Sequence, residues 1–355
     1  MKAAVWYARD DLRIETVPDP SPPGPGELVL RVEACGICGT DLEEYRHGPI
    51  FVPVARPNPL TGCSAPIILG HEFVGEVVEA GPEVGPFRSG DRVCPDVLIY
   101  CGKCYWCQRH QVTLCENLAA LGLTCDGGLA NYCKVPAAMC IPVDKSAPAE
   151  QVAMAEPLSV AVRALRKGRL ALGERVAIFG AGTIGLFAIQ VALSGGASTV
   201  YVVEPHAWRR ELALQMGATA AVDPTTRDPV RALRELTGGI GPDVVVEASG
   251  AAAVIPVAIA AGRKGGRIVL VGIPVKPSTL DFFTVVSTEK EIIGSLSHVY
   301  DEDFLHAVSL LESGRVRVAP LISDVIPLDD LLERGIHRLE TQAATTLKVI
   351  VDPNL

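Results

Sequence analysis

Four of the eleven cysteines in this chain of 355 residues fall within the fifteen positions of CGKCYWCQRHQVTLC. Cys101, Cys104, Cys107 and Cys115 are close enough in sequence to bind one ion, to form disulfides or to build a nucleic-acid zinc module. The odd number of cysteines and their concentration in the first 140 residues weigh against a disulfide framework. Because clustered thiols in a reducing compartment are typical metal ligands, the stretch predicts a metal site.

A second set of metal-binding side chains is spread over other motifs. Cys38, in CGICGTDL, provides a thiolate, and His71, in GHEFVGEVVEAG, provides an imidazole, both of which suit zinc. The third protein ligand is either Glu156, in MAEPLSVAV, or Glu72, which could also support the site without binding the ion. Three protein ligands and an open position are what a zinc ion needs to act as a Lewis acid.

A glycine-rich turn, VAIFGAGTIG, lies between a predicted apolar strand and a predicted helix. In this context Gly180 permits the tight turn, Gly182 lets the backbone approach a pyrophosphate, and Gly185 lets the helix pack closely on the strand. The N–H groups at the start of the helix, including those of Thr183 and Ile184, would then face the phosphates. The motif therefore predicts a dinucleotide site.

The choice between NAD and NADP depends on the end of the next predicted strand, VYVVE. Glu204 at that end can accept hydrogen bonds from the ribose hydroxyls and would repel a 2′-phosphate, which favours NAD. Arg209, five residues later, could instead neutralise a phosphate. Because the carboxylate stands at the strand end itself, we expect NAD, with NADP as the alternative.

The pattern of apolar residues changes near residue 156. Before it, short alternating segments such as ELVLRVEACGI are separated by Gly and Pro, which predicts a barrel or sandwich. After it, short apolar strands alternate with helix-length segments, which predicts a parallel, doubly wound α/β sheet. We expect residues 157–297 to form the dinucleotide-binding Rossmann domain, and residues 1–156 with 298–355 to form the other domain.

Composition excludes several classes of protein. The net charge of −9 and the lack of a basic patch argue against a nucleic-acid partner. The N-terminal MKAAVWYARDDLRIE lacks the apolar core of a signal peptide, and no apolar run is long enough for a membrane helix. We therefore expect a cytoplasmic protein with a small-molecule substrate and no membrane partner.

These motifs together resemble the zinc-dependent medium-chain alcohol and polyol dehydrogenases. The stretch GHEFVGEVVEAGPEV matches the zinc signature of that family, G-H-E-x-x-G-x5-G-x-x-V, at every fixed position. The motif CGICGTD, the four-cysteine stretch and AIFGAGTIG follow in the order of the family. The resemblance implies a GroES-like catalytic domain beside the Rossmann domain, one structural and one catalytic zinc per chain, and a homodimer or homotetramer. It assigns the structural zinc to the four clustered cysteines, a closed site that braces a loop.

The resemblance also implies roles for individual residues. The Thr40 hydroxyl would accept the substrate proton. Asp41 would either anchor the loop behind the metal site or only cap the loop. Glu43 stands where many relatives carry a histidine that ends a proton relay, so it is either the last relay group or a solvent-exposed glutamate. The backbone at Val271, Gly272 and Ile273 would lie against the nicotinamide.

A narrower resemblance concerns the substrate. The segment HGPIFVPVARPNPLTGCSAPIILGHEF is similar to that of 2,3-butanediol dehydrogenases. Glu156, where ethanol-type enzymes carry a cysteine, is similar to the sorbitol, threonine and butanediol branch. We therefore expect reversible oxidation of a small secondary alcohol or vicinal diol to a ketone, with threonine, sorbitol or another polyol as alternatives. A non-catalytic dinucleotide-binding protein is the alternative from another class, but Cys38, Thr40 and His71 are all present.

Overall fold

The computed structural model describes all residues from 1 to 355, and they form two compact units. The first unit comprises Met1–Glu156, Val299–Glu312 and Leu321–Leu355, and the second comprises Pro157–His298 and Ser313–Pro320.

Most strands of the two units are short. They are β1 Lys2–Ala8, β2 Asp11–Thr16, β3 Glu27–Gly36, β4 Ile67–Ile68, β5 Glu72–Ala80, β6 Arg92–Pro95, β7 Leu98–Ile99, β8 Ala119–Ala120, β9 Tyr132–Pro136, β10 Cys140–Pro142, β11 Arg175–Phe179, β12 Thr199–Val203, β13 Ala220–Val222, β14 Val244–Glu247, β15 Arg267–Leu270, β16 Glu291–Gly294, β17 Ile322–Pro327 and β18 Lys348–Asp352. The α-helices are α1 Gly39–His47, α2 Ala149–Val152, α3 Ala155–Lys167, α4 Thr183–Ser194, α5 Ala207–Gln215, α6 Pro229–Leu236, α7 Val254–Ala261, α8 Phe282–Val286, α9 Leu305–Glu312 and α10 Arg338–Thr341.

A seven-stranded sheet organises the first unit. Its order is β10-β6-β5-β3-β18-β17, and β9 also pairs with β3. The alternation in ELVLRVEACG directs Leu28, Leu30 and Val32 into the core, where each is fully buried. Because β18 pairs with β3, the last strand of the chain completes the sheet that the third strand began.

The metal-ligand motifs lie at the ends of these strands. β3 ends at Gly36, and Cys38 then caps the N-terminus of α1. His71 immediately precedes β5, whose pairing with β3 places Glu72 opposite Gly36. Sequence positions separated by more than thirty residues are thereby brought to one edge of one sheet.

A parallel six-stranded sheet organises the second unit, as the sequence predicts. Its order is β13-β12-β11-β14-β15-β16. The strands of its centre are apolar and buried along nearly their whole length, because helices cover both faces. The order reverses between β11 and β14, and such a switch point is where open α/β sheets bind ligands beyond the carboxyl ends of their strands.

The segment 301–314 contains two kinds of helix. A π-helical turn at Tyr300–Phe304 precedes α9, and the carboxylate of Asp303 accepts the N–H of Val299 at 2.8 Å. None of the helices combines the length and the apolar character that crossing a lipid bilayer requires.

Candidate active site

Cys38, His71 and Glu72 come together in the first unit. One thiol, one ring nitrogen and one carboxylate oxygen of these residues lie within 4.8 Å of one another. His71 and Glu72 are buried, and Cys38 is half-buried. A soft thiolate, an imidazole and a carboxylate form a donor set that suits Zn²⁺, so these residues fit the predicted ion.

Asp41 supports this cluster from the first turn of α1. Its Oδ2 accepts the N–H of Cys38 at 2.8 Å, and its Oδ1 lies 3.5 Å from Nδ1 of His71. Burial alone would lower the pKa of His71, but the negative charges of Asp41 and Cys38 outweigh it and raise that pKa well above its usual value. Asp41 therefore holds the loop at Cys38 and places its carboxylate beside the imidazole ring.

Lys348 occupies the other side of the cluster, and sequence reasoning missed it. Its Nζ donates to both carboxylate oxygens of Glu72, at 2.7 and 2.9 Å, and to the carbonyl oxygen of Ile37 at 2.8 Å. Both side chains of this ion pair are almost completely buried. Burial would lower the pKa of Lys348, but the charges of Glu72 and Cys38 raise it, so the ammonium is retained.

The sequence contained one signal for Lys348. It begins β18, in the otherwise apolar run LKVIV, and a charged residue in a buried strand needs a partner. The identity of that partner depends on a pairing across 276 positions, which the spacing of residues in the sequence does not reveal.

Glu156 and the two predicted proton-transfer residues lie nearby in the first unit. Glu156 is buried at the start of α3. The pKa of Glu72 is raised, first by the burial of Glu72 and then by the negative charge of Glu156, while the positive charge of Lys348 lowers it. Thr40 Oγ1 lies 3.6 Å from the sulfur of Cys38. Glu43 is half-exposed, and its carboxylate lies 3.8 Å from Nε2 of His47.

The four clustered cysteines also converge in the first unit, with sulfur atoms within 4.8 Å of one another. The N–H groups of Cys104 and Cys101 each point at a sulfur of the cluster at 3.3 Å. Hydrogen bonds from backbone N–H groups lower the pKa of Cys104 to about 6, while burial and the neighbouring thiols raise the pKa of Cys107 to about 12. Four thiolates cannot stay ionised so close together without a cation, and a tetrahedral Zn²⁺ fits them.

The glycine-rich turn borders a cavity of about 500 Å³ in the second unit. Gly180 has a φ of +95°, and Gly182 forms the N-cap of α4, which Thr183 and Ile184 begin. A Cβ at Gly185 would overlap the carbonyl oxygen of Gly180, so this helix packs against the turn as the motif predicts. The N-terminus of a twelve-residue helix is thereby directed at the cavity, an arrangement that suits a pyrophosphate.

Glu204 and Arg209 line the same cavity. The Glu204 carboxylate is almost fully buried and accepts the N–H groups of Ala181 and His206 at 2.8 and 2.9 Å. Arg209 is partly buried, and that burial lowers its pKa, although Glu204 opposes the effect. One acidic and one basic side chain therefore line the cavity where the sequence motif predicts the adenosine ribose.

The predicted nicotinamide segment, residues 271–273, directly follows β15. The N–H groups of Val271 and Gly272 both donate to the carbonyl oxygen of Glu247, at 2.9 and 3.0 Å. Ile273 is 61% exposed. The backbone at this position is thus held against β14, on the side of the sheet that the switch point defines.

Two regions of the chain match known protein families. Residues 24–145 match the alcohol dehydrogenase GroES-like domain, and residues 183–313 match the zinc-binding dehydrogenase domain. The chain belongs to the zinc-binding alcohol dehydrogenase family. The family resemblance and the α/β fold predicted from the sequence are confirmed, and so is an oxidoreductase that uses zinc and a nicotinamide dinucleotide.

Individual members of the family are similar over their full length. A (R,R)-butanediol dehydrogenase of Bacillus subtilis is 37% identical, with both chains covered completely. An L-threonine 3-dehydrogenase of Pyrococcus horikoshii is also 37% identical, over 99% of this chain and 97% of the relative. The crystal structure of 2R,3R-butanediol dehydrogenase from Bacillus subtilis superposes with a TM-score of 0.92 at 36% identity, over 99% of each chain. A zinc-binding dehydrogenase from Sinorhizobium meliloti 1021 bound to NADP gives 0.90 at 33% identity, also over 99% of each chain.

The two glycines of the turn should respond differently to one added methyl group. Nothing lies within 4 Å of a Cβ at Gly182, so Gly182→Ala should fold normally but bind NADH at least about tenfold more weakly, because the methyl group intrudes on the pyrophosphate. Gly185→Ala should lower the melting temperature, because its methyl group meets backbone. Fluorescence titration and thermal unfolding measure the two effects; equal losses of stability in both variants would contradict this account.

Proposed function

We propose that this dehydrogenase interconverts a small vicinal diol and its hydroxyketone, with 2,3-butanediol and acetoin as the leading pair. The observation that carries the proposal is the full-length similarity to (R,R)-butanediol dehydrogenase, combined with the convergence of Cys38, His71 and Glu72. We further propose that residues 1–156 and 298–355 form the catalytic domain and residues 157–297 the dinucleotide domain, a division that the two compact units support.

The chain supplies positions and electrostatics for this reaction. When bound, zinc lowers the pKa of the substrate hydroxyl and the dinucleotide accepts the hydride. Thr40 would relay the hydroxyl proton: its Oγ1, 3.6 Å from the sulfur of Cys38, accepts that proton as its own hydroxyl proton passes on toward solvent. Glu43 and His47, both half-exposed or more, offer a route by which the proton reaches solvent.

We propose Glu156 rather than Glu72 as the third protein ligand of the catalytic zinc. Both oxygens of Glu72 already accept hydrogen bonds from Lys348. If Glu72 turned to the ion, the buried ammonium would lose its counter-charge, and leaving one buried charge unpaired costs about 3–5 kcal/mol. Glu156, buried at the start of α3, could bind the ion while Glu72 keeps both of its hydrogen bonds to Lys348.

Metal analysis distinguishes the two assignments. Glu156→Gln should reduce the zinc content from two ions per chain to one. Glu72→Gln, the matched substitution, should lower the melting temperature because Lys348 loses its counter-charge, but the folded protein should retain two ions. Cys104→Ser serves as a reference, because it removes only the four-cysteine ion. Loss of one ion from the Glu72 variant, with two retained by the Glu156 variant, would reverse the assignment.

We propose NAD as the preferred cofactor. The buried Glu204 carboxylate at the end of β12 supports this choice because its negative charge disfavours a 2′-phosphate. Arg209 in the same cavity and the relative bound to NADP are the observations in favour of NADP.

A threonine dehydrogenase is the second candidate function, which the 37% identity to L-threonine 3-dehydrogenase favours. Oxidation of sorbitol or another polyol is a further alternative.

Reduction of NAD⁺ with a panel of alcohols tests the proposed function. The panel contains the 2,3-butanediol stereoisomers, threonine, sorbitol and ethanol, each also measured with NADP⁺. We expect one butanediol isomer to give a kcat/KM at least about tenfold above the others, with NAD⁺ as the better acceptor and complete loss after chelation. Faster turnover of threonine or sorbitol would keep the chemistry and reject the diol.

We also propose a homodimer formed through the edge of the second unit, with a homotetramer as the alternative. β16 is the last strand of its sheet, and the neighbouring α8 leaves Phe282, Phe283 and Val286 at least 70% exposed. An edge strand beside such an apolar surface suits pairing with a second copy.

We also propose a cytoplasmic location, because the proposed thiolate ligands stay reduced in that compartment.

Substitution within this edge tests the oligomer. Phe283→Asp should shift the molar mass in solution to that of one chain, because a buried charge opposes the interface. Leu172→Asp, at an exposed apolar residue elsewhere in the same unit, should leave the mass unchanged. Light scattering measures both; a dimeric Phe283 variant would place the interface elsewhere.

A further inference from the structure

Glu247 carries a buried carboxylate in the second unit, and none of the roles described above involves its side chain. It ends β14 and is fully buried. Its Oε1 accepts the N–H of Ser249 at 2.8 Å and also the hydroxyl of the same residue. Its Oε2 is equally buried and accepts no hydrogen bond from any protein group. One oxygen of this carboxylate is therefore left without a donor.

A buried anion in this state is expensive to keep. The charge loses its hydration on folding, and only hydrogen bonds or an opposite charge compensate that loss. Both hydrogen bonds to Glu247 come from the neutral Ser249. A glutamine could accept the same two bonds through its amide oxygen. What glutamate adds over glutamine at this position is therefore its negative charge.

The carboxylate lies directly behind residues 271–273, the segment that we expect against the nicotinamide. The N–H groups of Val271 and Gly272 donate to the carbonyl oxygen of Glu247 at 2.9 and 3.0 Å. A Cβ at Gly272 would lie 2.7 Å from Oε2 of Glu247 and would overlap the backbone nitrogen of Gly250. No side chain therefore separates the carboxylate from the backbone of this segment.

The turn that follows Glu247 borders the cofactor cavity. Ser249 lines that cavity together with Gly180 and Gly182 of the glycine-rich turn. A Cβ at Gly180 would lie 3.0 Å from the Cα of Ser249, and a Cβ at Gly250 would lie 3.2 Å from the carbonyl oxygen of Ile273. The buried charge is thus enclosed by backbone segments on which the dinucleotide is expected to rest.

The charge of the cofactor changes during the reaction. The nicotinamide ring carries a positive charge in NAD⁺ and is neutral in NADH, because the hydride brings two electrons with its proton. A negative charge held in a region of low dielectric constant attracts the oxidised ring and has little effect on the reduced one. Since Oε2 is buried, dissolved ions screen this attraction only weakly.

We propose that Glu247 uses its buried charge to favour bound NAD⁺ over bound NADH, and thereby lowers the reduction potential of the bound cofactor. The inference rests on the proposed function and deepens it, because a cofactor shifted in this direction gives up its hydride to the hydroxyketone more readily. Glu247 is fully buried, touches neither the cofactor nor the alcohol, and acts through its charge.

Glu247→Gln tests this role because it removes the charge and retains the acceptor for Ser249. We expect the dissociation constant of NAD⁺ to rise at least about fivefold and that of NADH to change less than about twofold. A fivefold change in their ratio corresponds to about 20 mV for a two-electron couple. Fluorescence titration gives the constant of NADH, and displacement of NADH gives that of NAD⁺. The melting temperature should not fall, because both hydrogen bonds remain.

Two control variants separate the effect of charge from that of position. Ser249→Ala removes the hydroxyl donor but keeps the carboxylate, so it should change both dissociation constants by the same factor. Glu211→Gln, at an exposed glutamate of α5, removes one negative charge at the surface and should leave the ratio unchanged.

Three results would overturn the proposal. They are equal weakening of NAD⁺ and NADH by Glu247→Gln, an unchanged ratio, and a Glu247 variant that unfolds or melts well below the unsubstituted enzyme. The last result would show that the fold, and not the cofactor, requires the carboxylate. The binding measurements need no alcohol. A shifted ratio in an enzyme that oxidises no alcohol of the panel would therefore support Glu247 and reject the proposed function.

Discussion

The buried ion pair between Lys348 and Glu72 is the interaction on which the catalytic region depends. It joins the start of β5, the start of β18 and the carbonyl oxygen of Ile37, three segments that arrive from distant parts of the sequence. The first contains the candidate ligand Glu72 and follows His71, and the third directly precedes Cys38. A buried pair of this kind contributes little net stability, but removing one partner is costly, so it holds the segments in one arrangement.

This arrangement explains why the metal site needs the whole first unit. Cys38 is positioned by the end of β3, His71 by the start of β5, and both strands lie in the sheet that β18 completes. Asp41 supplies a negative charge on one side of the cluster, and Lys348 supplies a positive charge on the other. The electrostatic environment of the ion is therefore set by residues that do not bind it.

The features that depend on local geometry were predictable from the sequence. The glycine turn of the second unit works over six residues, and the roles of Gly180 and Gly185 follow from the backbone alone. The four-cysteine cluster is local in the same sense, because its ligands span fifteen positions. Strand–helix alternation likewise predicted the parallel sheet, since a short strand that is apolar throughout is typical of a sheet with helices on both faces.

Contacts that depend on long-range pairing were not predictable in this way. Lys348 was visible as a charge in an apolar strand, but its partner was not. The choice between Glu72 and Glu156 was open for the same reason, because it depends on a lysine that lies 276 positions beyond Glu72. The irregular turn before α9 depends on the hydrogen bond from Val299 to Asp303, which periodicity does not show.

The position of Lys348 near the C-terminus has a consequence for the order in which the protein is made. The four clustered cysteines leave the ribosome together and need no later residue, so their site can take up its ion while synthesis continues. The catalytic cluster lacks its buried counter-charge and the strand that completes its sheet until residue 348 has emerged. The proposed four-cysteine ion could therefore bind during translation, whereas the proposed catalytic ion would need nearly all of the chain.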